Sequence, residues 1–568
     1  MSQVDVSQCM SQGEMDAVVR RSGNYTNCVW DHDYIQNSMK NDYLDVKYKM
    51  QAEMLMQQVG NVLRGVSQLT EQLELVDDLQ RLGLEYHFEN EIKTLLHEIY
   101  GKFCITRERR NQTDLHTAAL AFRLLRQHGH PVTQEIFKCF MDIDSGRFKL
   151  SLLKDIKGMI SLYEASYHGA EGEGILGEAF DFTKTHLPKL KIMDPYLEVL
   201  VAHSLELPLF WRPSIAEARW FIEEAYEKNP KMLPVSLQLA KLDFNIVQGL
   251  HKEELRELSR WWAMLDFGKE LSFARDSLVA SYLWSIQVYP QPQDEACRVV
   301  STKFISIISA IDDIYDVYGT LEELELFTMT VERWDTSTME QLPAYMRKCF
   351  LELNKFVEEL VDDVLREKRM NVTEILKNMW VNQVRAYLTE ARWYHIGHRP
   401  TLQEYMGNAW ISIGIIQYAT HALGVKAEQV TLTELKCLKN DDYFMKSAAI
   451  IARLVDDLGT SSEEMARGDV PKAVQCYMND TGASEEAARN HVKDMVREEW
   501  KKLNKYAMEN KTLPHSAVEM ISNLLRAAHF FYMYGDGHGI QDKETKVTMS
   551  KLLFDPIPTS DADLQGRS

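Results

Sequence analysis

The sequence predicts an all-α protein built from two helical domains, and three observations predict it. Apolar residues recur three and four apart through most of the chain from about residue 40 onward, the spacing of helices that bury one face. Runs of alternating β-branched residues long enough to form strands are scarce. A proline-bearing break, Lys228 to Pro234 (KNPKMLP), then divides the chain, because proline ends a helix and restricts the residue before it.

The break sets the expected domains at 1–232 and 233–568. The first 40 or so residues look irregular, and no repeat period or low-complexity tract follows them. Leu73 to Leu84 (LELVDDLQRLGL) and Leu239 to Val247 (LAKLDFNIV) are typical of the helical segments, with carboxylates expected on solvated faces. Ala409 to Val425 is charge-free and apolar, but Ser412, Gly414, Gln417, Thr420 and His421 make it a poor membrane span and a better buried helix.

Composition narrows the function. A net charge of -20 over 568 residues excludes a general attraction to nucleic acid or anionic lipid, so any anionic substrate must be held locally. The cysteines (Cys9, Cys28, Cys104, Cys139, Cys297, Cys349, Cys437 and Cys476) form no Cys-x-x-Cys pair or Cys/His cluster, so neither a zinc site nor a disulfide framework is indicated. The first 19 residues have no apolar signal core, and Asp5, Glu14 and Asp16 do not suit a transit peptide. A cytosolic protein is expected.

Two acidic clusters carry the chemistry. In Phe304 to Gly319 (FISIISAIDDIYDVYG) an apolar helix runs into Asp312, Asp313 and Asp316, with Asp312 and Asp316 on one face. Three carboxylates there oppose the negative end of the helix dipole and repel one another, which a bound cation relieves. In the second cluster, SAAIIARLV runs into Asp456, Asp457, Thr460 and Glu464. Asp456, Thr460 and Glu464 fall at i, i+4 and i+8, a stripe of hard oxygen ligands suited to Mg2+. Either cluster alone reads equally well as a charged helix end. Two of them, roughly 140 residues apart, read as facing walls of one metal site.

At these residues the chain resembles class I plant terpene synthases, which carry an Asp-Asp-x-x-Asp motif and an Asn/Asp-Asp-x-x-Ser/Thr-x-x-x-Glu motif; here they are DDIYD and DDLGTSSEE. The resemblance spans nearly the whole chain, through Arg20, Arg21 and Trp30 (Arg-Arg, eight residues, Trp), LQRLGL, LRQHG, SLYEAS, EARWF, LSRWW, VERWD and GDG. It implies an α-barrel-like N-terminal domain and a C-terminal domain of the class I terpenoid synthase fold. It also implies three Mg2+ ions, for which Mn2+ can substitute: Asp312 and Asp316 ligate two, and Asp456, Thr460 and Glu464 the third. Asp313 and Asp457 then orient ligands or pair with bases.

By the same resemblance Arg275, Arg453 and Lys472 receive the leaving diphosphate, so that substrate is bound by Arg275, Asp312, Asp316, Arg453, Asp456 and Lys472. Arg453, inside an apolar run, needs a partner because an unpaired buried guanidinium is costly. Ser277 stands where the family's Arg-x-Arg pattern has a second arginine, which weakens the expected capture of diphosphate. Trp284 is the expected aromatic wall for carbocations, with Phe531 and Tyr534 as further candidates. The break at Ser412, Ile413 and Gly414 either aims backbone carbonyls at the cavity or is a packing glycine. The first domain lacks the Asp-x-Asp-Asp acid motif, the nearest string being Asp31, His32, Asp33, Tyr34, so its role is read as structural. Residues 1–40, with Arg20, Arg21 and Trp30, are expected to fold over the active-site mouth.

The expected activity is therefore that of a monomeric, cytosolic lyase converting farnesyl diphosphate to a sesquiterpene. The alternative within the family uses geranyl or dimethylallyl diphosphate to give a monoterpene or hemiterpene. The alternative of another class is a non-catalytic helical protein that binds prenyl diphosphate.

Overall fold

The computed structural model describes residues 20–559 apart from 24, 26, 27, 38, 106–112, 427–430, 433, 434, 436–442, 510–512 and 540–542. Among these residues every named element is helical, and the one β-bridge is the isolated pair Met141 and Phe148. Residues 1–19 of the expected capping segment lie outside the described residues, as do Cys9 and Cys437.

The first half is built on α1 (Val46–Gly65), α2 (Leu69–Arg81), α3 (Leu115–Gln127), α4 (Ile156–Ser166) and α5 (Pro195–Glu206). Asp45, Asp114, Asp155 and Asp194 each cap one of these helices, the carboxylate accepting from a backbone N–H of the first turn. α3 is buried almost all round and packs between α2 and α4.

The carboxylates expected in solvent are instead tied down. Asp77 takes Arg123 at 2.5 Å, and Asp243 accepts from the Tyr86 hydroxyl at 2.8 Å and meets His87 at 2.9 Å. The helices packed around this core leave these acids little contact with water, and each is paired with a base or a hydroxyl. The most buried such group is Glu217, 3% exposed: one oxygen takes Arg81 at 2.7 and 2.9 Å, the other His203 at 2.7 Å. Its carboxyl is held well below the usual range because Arg81 and His203 outweigh the burial that opposes its charge.

At the Lys228–Pro234 break a short turn ends at Lys228 and α6 (Pro234–Leu265) begins with Pro234 in its first turn, where the missing N–H costs nothing. α6 packs on α1 and on helices of the second half. The second half includes α7 (Leu278–Val288), α8 (Glu295–Asp313), α9 (Leu321–Arg333), α10 (Thr373–Ile396), α11 (Leu402–Ser412), α12 (Ile415–Lys426), α13 (Tyr443–Arg467), α14 (Ala473–Thr481) and α15 (His515–Phe531). Several of these surround a cavity of ≈ 170 Å³. The apolar 409–425 segment is split at Gly414 into the end of α11 and the body of α12, and no described helix is long and apolar enough to cross a membrane.

Replacing Glu217 by Gln should strand the buried Arg81 guanidinium and cost about 3 kcal/mol. The thermal unfolding midpoint should fall by several degrees, and an unchanged midpoint would show that the Arg81–Glu217–His203 cluster is not holding this domain.

Candidate active site

The first wall of the cavity is the end of α8. Asp312 and Asp313 close its last α-helical turn, and the chain then widens into a π turn, Ile314–Tyr318, with the Gly319 N–H donating to the Ile314 carbonyl at 2.8 Å. Sequence spacing had placed Asp316 one plain α-turn after Asp312; the extra residue per turn alters that register, as such bulges do at functional sites. Asp312 and Asp316 nonetheless both line the cavity.

Asp313 is completely buried behind them. Its carboxylate accepts from the Arg275 backbone N–H at 2.9 Å, from Arg275 Nη2 at 2.6 Å and from the Tyr25 hydroxyl at 2.8 Å. Arg275 Nη2 also reaches Asp312 at 2.9 Å. Burial raises the Asp316 carboxyl well above the usual range, with Asp312 adding to the rise and Lys472 only partly offsetting it.

The opposite wall is α13, which continues past Asp456 to Arg467 instead of ending near the cluster. The i, i+4, i+8 stripe is thus realised on one continuous helix, with Asp456, Thr460 and Glu464 all lining the cavity. Arg453 Nη1 donates to Asp456 at 2.7 Å, and its other nitrogens reach the Ser412 hydroxyl at 3.2 Å and the Ala409 carbonyl at 3.3 Å. Burial still pushes Asp456 up to about 8 against the pull of Arg453.

Asp457, fully buried, accepts from the Tyr405 hydroxyl and the Ala473 N–H, each at 2.9 Å. It therefore pins the start of α14 and, beside it, Lys472. The Lys472 ammonium lies 3.9 Å from Glu390 and 4.0 Å from Glu464. Burial works against its charge, but Glu464, Glu390 and Asp316 outweigh it and keep it protonated.

The residues present fit a hard divalent cation. Glu464 Oε2 is buried at the cavity with no hydrogen-bond donor, and the donor set is all oxygen. Among the described residues no three acidic, imidazole or thiolate side chains already converge on one point. Arg275 and Arg453 occupy part of the carboxylate oxygens instead. Such a site suits ions that take one or two carboxylates each and complete their shells with water and substrate phosphate.

Trp284 lines the cavity and stacks flat on Phe531, ring centroids 4.7 Å apart and 2° from parallel. Phe531 thus backs the tryptophan. Tyr534 is 55% exposed and hydrogen-bonds Glu206, so the expectation that it faces the cavity is wrong. The turn after Phe531 carries it to the surface and brings Tyr532 and His538 inward in its place. Ser277 is buried outside the cavity lining, its hydroxyl without a hydrogen-bond partner.

At the helix break, Gly414 has φ +79°, and a Cβ there would sit 3.0 Å from Ile308. The Ser412 carbonyl is taken by Gln383 Nε2 at 2.7 Å, so this carbonyl is not offered to the cavity.

Described residues of the N-terminal segment reach the cavity, which Tyr25 lines. Arg20 pairs with both oxygens of Glu323 at 2.8 Å and with the Tyr318 carbonyl at 2.9 Å, while Arg21 donates to the Asp316 carbonyl at 2.8 Å and pairs with Asp469. Trp30 stacks on Phe554 at 5.2 Å. Sequence reasoning missed Tyr25, Tyr387, Glu390 and His538, all of which line the cavity. Only His538 had a local signal, following the GDG turn.

Residues 29–205 match the profile of the terpene synthase N-terminal domain, and residues 263–502 that of the terpene synthase family metal-binding domain. The chain belongs to the terpene synthase family. This terpene synthase is 46% identical over 560 residues, 97% of its own length and 92% of the other's, to a chloroplastic myrcene synthase of Quercus ilex. Its fold superposes on a limonene synthase solved with 2-fluorolinalyl diphosphate (TM-score 0.91, 41% identity, 95% of this chain and 100% of the other). It also superposes on grey poplar isoprene synthase in complex with three Mg2+ ions and dimethylallyl-S-thiolodiphosphate (TM-score 0.85, 38% identity, 93% and 99%).

The two-domain terpene synthase fold and lyase class expected from the motifs therefore hold. The cytosolic expectation does not: the Quercus ilex enzyme and several other relatives bear chloroplastic names. Acidic residues near the N-terminus were a weak basis for location, since compartment is read from a targeting address and not from the catalytic fold. The sesquiterpene expectation, which rested on that location, loses its support with it.

Because metal binding requires ionised carboxylates, divalent-ion affinity should rise with pH as the raised carboxyls of Asp316, Asp456 and Glu464 lose their protons, that of Asp456 at about 8. Calorimetric titration of Mg2+ in the presence of inorganic diphosphate checks this; an affinity independent of pH between about 6.5 and 8.5 would contradict it. Asp457→Asn should lower kcat by roughly tenfold or more by freeing α14 and Lys472, since a hydrogen bond to a charged group is worth about 1.5–3 kcal/mol; wild-type kcat in that variant would refute the positioning role.

Proposed function

We propose that this terpene synthase is a plastid enzyme that ionises geranyl diphosphate, releasing diphosphate and a monoterpene. The observation that carries the reading is its 46% identity, over nearly its full length, to an enzyme named for the ten-carbon product myrcene. The fold shared with a limonene synthase holding 2-fluorolinalyl diphosphate supports it.

Asp312 and Asp316 would hold two Mg2+ ions and Asp456, Thr460 and Glu464 a third, with Mn2+ able to substitute; bound there, the ions supply charge that weakens the bond between carbon and diphosphate oxygen. Arg275, Arg453 and Lys472 stand ready, already charged and desolvated, to take up the charge developing on the departing group. Trp284, braced by Phe531, presents an aromatic face that stabilises the allylic cation without attacking it. His538, 8% exposed and with its pKa pushed down to about 3 by burial, stays neutral and adds no positive charge beside the cation.

Purified protein supplied with Mg2+ and, separately, dimethylallyl, geranyl and farnesyl diphosphate should form ten-carbon volatiles from geranyl diphosphate with the highest kcat/KM. Preferred formation of five- or fifteen-carbon products would overturn the substrate assignment. Asp312→Ala and Asp456→Ala should each lower kcat more than about a hundredfold while leaving far-ultraviolet circular dichroism unchanged; retained turnover in either would refute its place in the metal site.

A further inference from the structure

We propose that Tyr25 is a positioning residue that ties the N-terminal segment to the alignment of Arg275 at the diphosphate end of the cavity. The Tyr25 hydroxyl donates to Asp313 Oδ1 at 2.8 Å, and its ring lies 5.1 Å from the Arg275 guanidinium. The other hydrogen bonds that Asp313 accepts among the described residues all come from Arg275. Tyr25 is therefore the second support of a buried carboxylate whose main task is to aim one arginine.

That support is delivered across 288 residues of sequence by a segment anchored on both sides. Upstream, Arg20 and Arg21 bind Glu323, Asp469 and the carbonyls of Tyr318 and Asp316; downstream, Trp30 stacks on Phe554. Between these anchors Tyr25 reaches inward and joins the cavity wall. Gly23 makes room for it: a Cβ at that position would lie 2.4 Å from Cε2 of the Tyr25 ring. Any larger residue there displaces the ring, and the hydroxyl with it.

The consequence is mechanical and electrostatic together. The Tyr25 hydroxyl satisfies one Asp313 oxygen and the ring lies over the guanidinium, so Arg275 keeps Nη2 directed to Asp312 and the cavity. Without that hydroxyl and ring, Asp313 would have Arg275 alone, and water would enter where the ring had been. Water that reaches the carbocation adds to it and loses a proton, giving an alcohol in place of a hydrocarbon.

The inference rests on the proposed reaction, and its test separates the two. Wild type, Tyr25→Phe and Gly23→Ala are compared with Mg2+ and geranyl diphosphate for kcat, KM, unfolding midpoint and the share of alcohol among the products. Both variants should keep the midpoint and keep KM within about twofold, lose roughly tenfold in kcat, the order expected for a hydrogen bond to a charged group, and raise the alcohol share. Wild-type kcat and alcohol share in Tyr25→Phe would overturn the inference. If wild type itself prefers dimethylallyl or farnesyl diphosphate, the substrate assignment fails, and the same comparison made with the preferred substrate decides the role of Tyr25.

Discussion

Arg275 bridges Asp312 and Asp313 on one wall of the cavity, and Arg453 holds Asp456 on the other. These two ion-pair clusters set the terms for everything around them. Facing helices bring Asp312, Asp316, Asp456 and Glu464 together in a partly desolvated space, where burial and neighbouring carboxylates make Asp316, Asp456 and Glu464 resist ionisation. The arginines satisfy part of that charge in the free protein. The part they leave, seen in the raised Asp316, Asp456 and Glu464 carboxyls and in the orphaned Glu464 oxygen, is the part a metal and a polyanion together can satisfy.

The surrounding architecture serves this arrangement. Asp313 and Asp457 carry no cavity surface but fix Arg275 and the start of α14, so both Asp-Asp pairs divide into one residue facing the site and one bracing it. Glu390 links the Asn408 and Ser412 side chains at the helix break to Lys472. The N-terminal helical half contributes a body stapled by buried ion pairs, such as Arg81–Glu217, and Arg20 and Arg21 before it pair with Glu323 and Asp469 of the second half.

Much of this was legible in the sequence, and the legible parts share a cause. The Asp456, Thr460, Glu464 stripe follows from helical periodicity alone, and the kink at Gly414 from one residue without a Cβ in an apolar helix. The need of Arg453 for a partner follows from its position within an apolar run. What was missed depends on contacts between distant residues. Tyr25 meets Asp313 across 288 positions and Lys472 meets Glu390 across the fold, and neither leaves a local pattern. The π turn after Asp313 was invisible because its sequence, IYDVY, suits an α-helix as well. Tyr534 was misplaced because the path of the chain after Phe531 depends on the turn and not on spacing.

On the proposed reaction, the two walls would exchange their arginine contacts for metal and diphosphate when substrate binds. The most direct measurement is a crystal structure of the protein with Mg2+ and a non-ionisable geranyl thiolodiphosphate. Asp312 and Asp316 on one wall and Asp456, Thr460 and Glu464 on the other would hold the ions, with Arg275 and Arg453 donating to diphosphate oxygens. Ions bound away from either wall, or arginines still engaged only with their carboxylates in the occupied site, would contradict it.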